Sequence, residues 1–226
     1  MPENKIDNPT LNDNRNYDYT QFPTGERHEY EVIAALIPLG AKVIDLGCGN
    51  GSLMELLILE KKVDIMGLEI SESGVQTCLS KGLNVKKNRI DELMPFDDNE
   101  FDFSICNVTL QMVMSPEILL KEMKRISKYQ IISFPNFAFY KNRLDLLIYG
   151  RMPRPMLFGY EWYNTGHIHQ LSISDFETLV NETGELKIIE RKFLKLNNRI
   201  KNFLMYLFPN LFQQISIFLL AKGNVK

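Results

Sequence analysis

The chain has 226 residues, enough for one α/β domain with a modest insertion, and its 45% hydrophobic and 24% charged residues are an ordinary globular balance. A net charge of −2, from 26 basic and 28 acidic residues, supplies no basic field for nucleic acid. Cys48, Cys78 and Cys106 are odd in number, widely spaced and without a C-x-x-C pair, which points away from a disulfide framework or zinc site and toward a reducing cytosol.

Residues 1 to about 23 are rich in Asn, Asp, Tyr, Thr and Pro and lack apolar periodicity, which predicts a flexible tail ahead of a domain over 24–226. Met1-Pro2-Glu3-Asn4-Lys5 has no apolar run of the secretory kind, so the expected location is the cytoplasm. Apolar Tyr30, Ile33, Ala34 and Ile37 at helical spacing predict a helix from Thr24 to Ile37, ended by Pro38-Leu39-Gly40.

The next stretch, Lys42-Val43-Ile44-Asp45-Leu46-Gly47-Cys48-Gly49-Asn50-Gly51, reads as a buried strand ending in an acid and then a glycine turn. A helix follows at Ser52, with Ser52 and Glu55 at capping-box spacing. A second strand, Val63 to Ile70, ends on Glu69. A helix from about Glu72 to Lys81 follows, closed by Gly82, and then strands over Val85–Ile90 and Phe101–Asn107. Ser115-Pro116-Glu117 opens a helix to about Ile126, and Gln130–Phe134 is a fifth strand. This βαβα rhythm predicts a parallel, doubly wound sheet.

From about 135 to 170 the rhythm breaks. Phe137, Phe139, Tyr140, Tyr149, Phe158, Tyr160, Trp162 and Tyr163 mix with Arg143, Arg151 and Arg154 in an insertion expected beside the ligand mouth. Ser174-Asp175-Phe176-Glu177 then caps a helix ended by Gly184. Lys187–Phe193 and Ile215–Leu220 read as the last strands, joined by the amphipathic Arg199–Phe208. The apolar Phe203–Ala221 is interrupted by Pro209-Asn210 and Gln213-Gln214, so it predicts a helix, a turn and a strand and no membrane span.

The chemistry sits at the two strand tips. The glycines are spaced Gly-x-Gly-x-Gly, not the Gly-x-Gly-x-x-Gly of dinucleotide binders, and Asp45 would repel a pyrophosphate but pair with an ammonium. An acid at the tip of the second strand, Glu69, suits the two hydroxyls of a ribose. Ammonium, ribose and no phosphate describe S-adenosylmethionine. The competing reading is a nucleotide-dependent oxidoreductase, which Asp45 opposes.

Asp45-Leu46-Gly47-Cys48-Gly49-x-Gly51 with Glu69 resembles the class I methyltransferase signature. The resemblance implies a Rossmann-like fold with a seven-stranded, mostly parallel sheet, an antiparallel edge hairpin and helices on both faces. The cofactor residues it implies are Asp45, Gly47, Cys48, Gly49, Asn50, Gly51, Glu69, Ile70, Asp91 and Asn107, with S-adenosylhomocysteine as product. Asn107-Val108-Thr109-Leu110 replaces an Asn-Pro-Pro-Tyr motif, which argues against methylation of nucleic acid bases. More narrowly, residues from about Arg27 to Lys222 resemble the methionine biosynthesis protein MetW family. Ser133-Phe134-Pro135-Asn136-Phe137, Arg151-Met152-Pro153 and Glu161-Trp162-Tyr163-Asn164-Thr165 carry that likeness. Arg89 stands where the family more often has an acid, so the adenine contact passes to Asp91 or to the Ile90 main chain.

The family implies a link to methionine biosynthesis beside a homoserine O-acyltransferase, either as a methyltransferase with a small-molecule acceptor or as a non-catalytic, cofactor-sensing partner. Methyl transfer from a sulfonium needs mainly positioning and exclusion of water. His167 and His169, two apart in an extended segment, share one face and are candidate acceptor-orienting or basic groups, with Tyr140 as a further candidate. No third ligand accompanies the histidines, so no metal is expected.

Overall fold

Alternation along the first strand decides how the chain is layered. The structure, a computed structural model, describes residues 27–153, 162 and 166–223. In β1 (Lys42–Leu46), Val43 joins one apolar cluster while Ile44 and Leu46 join another, because successive side chains of a strand point to opposite faces. A strand apolar on both faces requires cover on both. On the Val43 side the cover is α1 (His28–Leu36), α2 (Ser52–Lys61) and α3 (Glu72–Ser80), through Ile33, Leu53, Met54, Leu57 and Val75. On the other side α4 (Pro116–Ile126) and α6 (Ile173–Thr183) bury Leu119, Leu120, Met123, Phe176 and Val180.

The remaining strands are β2 (Asp64–Glu69), β3 (Val85–Lys87), β4 (Phe101–Asn107), β5 (Ser127–Pro135), β6 (Leu186–Phe193) and β7 (Ile215–Lys222). The sheet order is β3-β2-β1-β4-β5-β7-β6. The first five strands are mutually parallel, and β7 runs antiparallel between β5 and β6. The order reverses at β1, with β2 on one side and β4 on the other. Ligands of open α/β sheets bind in the crevice at such a switch point, which here falls at the carboxyl ends of β1, β2 and β4. The seven-stranded, mostly parallel sheet with an antiparallel edge and helices on both faces is the arrangement the sequence predicts.

Several local expectations are corrected. The third strand stops at Lys87 instead of Ile90, since the chain leaves the sheet edge once the Asn88 N–H has bonded the Glu69 carbonyl at 3.1 Å. The fifth strand begins at Ser127, directly at the end of α4. The first described helical turn begins at His28. Ser52 and Glu55 form no capping box: Gly51 is the N-cap in a left-handed conformation, the Ser52 N–H bonds Asn50 Oδ1, and Glu55 pairs with Lys81. The capping box of α6 uses Ser172 and Asp175, not Ser174. The Arg199–Phe208 stretch forms α7 (Arg199–Leu207), and Pro209 opens a separate short α8 (Pro209–Phe212).

In the insertion, α5 (Tyr140–Leu144) passes into a π-helical turn, Asp145–Tyr149. The predicted tail at 1–23, together with Arg154, Phe158, Tyr160, Tyr163 and the Glu161 and Asn164-Thr165 part of the family-like segment, lies outside the described residues. No helix among the described residues is long and apolar enough to cross a membrane.

One guanidinium ties the loop between β3 and β4 to the helix beneath it. Arg125 donates to the Phe96 carbonyl at 2.5 Å, the Met94 carbonyl at 2.8 Å and Glu122 at 2.8 Å, while the Met94 N–H donates to Glu122 at 2.7 Å. Arg125→Ala leaves the buried Glu122 carboxylate without its cation. We expect a loss of about 2 kcal/mol and a fall in Tm of roughly 4–8 °C by thermal unfolding. An unchanged Tm would show that the loop holds without this clamp.

Candidate functional site

The floor of the crevice is main chain. Gly47, Gly49 and Gly51 all have positive φ, at 81°, 56° and 75°. At Gly51 an added Cβ would stand 2.3 Å from Leu83 Cδ1, and at Gly47 one would stand 2.6 Å from Thr109 Cγ2, so both backbone shape and space require glycine. The Gly47 and Cys48 N–H groups both donate to the Leu68 carbonyl, at 2.8 and 3.1 Å, which lays the loop across the tip of β2.

Two carboxylates face this floor from adjacent strands. Glu69 ends β2 and accepts from the Ile70 and Ser71 N–H groups at 2.9 and 2.8 Å and from the Gly49 N–H at 2.8 Å. It therefore bridges the strand tip and the glycine loop. Asp45 lies on β1 opposite Gly67 of β2 and is only 2% exposed. No hydrogen-bond donor among the described residues meets its carboxylate. Burial first, and the nearby Glu69 charge second, push its pKa up from 3.8 to about 7, against the opposing pull of Arg27.

Arg27 and Tyr30, from the start of α1, complete this corner and were not anticipated from the sequence. The Arg27 guanidinium lies 5.1 Å above the Tyr30 ring and pairs with the buried Glu29 at 2.6 Å. Burial above all pushes the Tyr30 hydroxyl up to about 12, so it stays protonated. The available signal was an Arg-x-Glu-Tyr cluster opening a helix that is otherwise apolar on its inner face.

The other sequence candidates hold the loop and strand tips in shape. Asn50 Oδ1 accepts from Ser52 N and Ser52 Oγ at 3.1 and 2.8 Å. Cys48 is buried, and its Cys78 neighbour and burial together hold its thiol protonated. Ile70 reaches the site through its N–H, which donates to Glu69. Asn107 ends β4, its Oδ1 accepting from Ser133 Oγ at 2.5 Å. The Asp91 carboxylate pairs with Arg89 at 2.7 Å and accepts from the Met114 and Ser115 N–H groups at 2.8 and 3.2 Å.

His167 and His169 lie farther along the same edge of the sheet, over β4 and β5. They line one pocket with Gln111, Pro135, Phe137, Met152 and Leu171, and the Ile168 and His169 N–H groups both donate to the Gln111 carbonyl at 3.0 Å. Gln111 is a contributor the sequence reading missed. Tyr140 sits in an aromatic cluster, its ring 4.7 Å from Phe139 and 5.8 Å from Phe212. No group of three His, Cys, Asp or Glu side chains among the described residues is placed to hold a metal.

Comparison with known proteins agrees with this architecture. The structure is similar to the putative methyltransferase in a complex with the Haloferax volcanii Trm112 activator, with a TM-score of 0.63, 17% identity and 87% and 90% of the two chains covered. It is also similar to a magnesium protoporphyrin IX methyltransferase from Synechocystis with bound SAH, at a TM-score of 0.61 and 16% identity, covering 86% and 82%. Both likenesses establish a Rossmann-like fold shared with methyltransferases. By sequence the chain is 34% identical over 169 residues to a bifunctional methionine biosynthesis protein MetXA/MetW from Rhodopirellula baltica, covering 70% of this chain. It spans only 27% of that longer relative. A demethylmenaquinone methyltransferase of Staphylococcus aureus is 25% identical over 174 residues, 68% of this chain and 71% of that one. The family model described as methionine biosynthesis protein MetW matches residues 27–220, and the chain belongs to that family.

Proposed function

We propose that the crevice binds S-adenosylmethionine and that the protein serves methionine biosynthesis in the cytosol as a methyltransferase-like partner of a homoserine O-acyltransferase. The observation that carries the reading is the buried Asp45 carboxylate, without a donor among the described residues, beside Glu69 and above bare main chain. A buried carboxylate of this kind calls for a cation, and the ammonium of the ligand supplies one. Glu69 is the acceptor for the ribose hydroxyls, and the Gly47–Gly51 main chain allows close approach of the ligand. The Ile90 main chain and Asp91 flank the adenine side. A dinucleotide would instead set its pyrophosphate against Asp45.

Bound S-adenosylmethionine supplies a methyl group already activated on a sulfonium. The chain itself has to orient the ligand and exclude water, and orientation falls to the Gly47–Gly51 loop and the carboxylates at the tips of β1 and β2. Fusion of the two functions in the Rhodopirellula baltica relative supports the acyltransferase partnership, since one chain there carries both names.

Glu69→Ala removes the ribose acceptor and the Gly49 tether together. Calorimetry should show affinity for S-adenosylhomocysteine falling by at least about tenfold; unchanged affinity would refute the role given to Glu69. Mixed with the homoserine O-acyltransferase of the same organism at roughly micromolar concentration, the full chain should co-elute with it and change its rate. Separate elution with an unaltered rate would count against the partnership.

A further inference from the structure

The turn after β4 is strained and tightly held. Val108, a β-branched residue, has φ of 52°, and its N–H donates to both the carbonyl and the hydroxyl of Ser133 at 3.0 Å. Its carbonyl accepts from Gln111 Nε2 at 2.9 Å. A carbonyl can only accept, so this bond fixes the amide nitrogen and leaves Oε1 as an acceptor. Gln111 is 1% exposed, and its Oε1 is buried with no partner. The Nε2 of His169 is likewise buried and unpartnered. Both residues line one pocket, and each carries a buried polar atom without a partner, where a native interior ordinarily leaves few.

Three properties narrow what belongs there. The pocket has room for roughly one water-sized group, so only the head of a ligand enters. Its described lining holds no Asp, Glu, Lys or Arg, and an ion in it would lose water without gaining a counter-charge from any described residue. Gln111 Oε1 requires a donor, whereas His169 Nε2 suits a donor or an acceptor according to tautomer. A hydroxyl meets both. Phe137 and Met152 offer an apolar wall for the rest of the molecule.

We propose that this pocket binds the hydroxyl group of an uncharged molecule with an apolar body, and that it is where the methyl acceptor sits. The acceptor role rests on the cofactor reading above; the binding site does not. Position supports the role, because Thr109 lies against Gly47 while Gln111, two residues on, lines the pocket. One short turn therefore joins the glycine loop to the second site.

The test uses phenol as the probe on the full chain, with and without saturating S-adenosylhomocysteine. Imidazole Cε1–H resonances are followed by NMR, and His28, His167 and His169 are the only histidines to assign. The His169 resonance should shift saturably with phenol, while benzoate and benzylammonium should bind at least about tenfold more weakly. Gln111→Leu should weaken phenol about tenfold with binding of S-adenosylhomocysteine retained, and Gln111→Glu should reverse the preference toward benzylammonium. No phenol-dependent shift, the signature of a trapped water only, would overturn the proposal. So would equal binding of the charged analogues, or unchanged phenol affinity in a Gln111→Leu protein that still binds S-adenosylhomocysteine. Calorimetric loss of S-adenosylhomocysteine binding with the phenol response intact would count against the cofactor reading alone.

Discussion

A buried carboxylate to which no described residue donates is the constraint on which this molecule turns. Asp45 occupies the inner corner of a crevice, with Gly67 opposite it on β2 and Glu69 beyond. Two acids so near each other cannot both ionise freely out of water, and the effect falls on Asp45 because Glu69 has three main-chain N–H groups to hold its charge. Charging that corner out of water costs free energy, which a cation placed beside Asp45 would offset.

The sheet order makes that corner possible. Placing β1 between β2 and β4 sets Asp45, Glu69 and the turn after β4 side by side at one edge, although they are far apart in sequence. Neighbouring strands lie about 4.8 Å apart, so the steps from β3 through β2 and β1 to β4 span roughly the length of a nucleoside joined to an amino acid. Asp45 and Glu69 come from β1 and β2, and the pocket lined by Gln111 and His169 stands over β4 and β5. Acids stand at one end of the edge, while the described lining of the pocket at the other holds no Asp, Glu, Lys or Arg.

Much of this was legible in the sequence, for reasons of range. The strand, glycine loop and helix are contiguous, and the acids lie at strand ends that apolar runs reveal, so Asp45, Glu69 and the sheet class could be read locally. Capping was ambiguous because spacing alone does not choose. Ser172–Asp175 and Ser174–Glu177 fit the same pattern, and burial of Ile173 and Phe176 selects the first. Ser52–Glu55 fits it too, but Lys81 from the next helix takes Glu55. The Arg27–Tyr30 corner and the union of Gln111 with His169 depend on α1 crossing the sheet and on a carbonyl far along the chain. The Arg-x-Glu-Tyr cluster hints at the first, and no local pattern announces the second.

The most direct measurement is the number of protons released when S-adenosylmethionine binds, obtained by calorimetry in buffers of different ionisation enthalpy. Asp45, raised to about 7, is about half protonated at neutral pH. Pairing with an ammonium lowers its pKa, so binding should expel protons near pH 7 and tighten as pH rises from about 6 to 8. Release of roughly half a proton at pH 7, abolished in Asp45→Asn, is the expected result. Binding with no proton release, or with the same release in Asp45→Asn, would contradict the placement of a cation at Asp45 and with it the identity of the ligand.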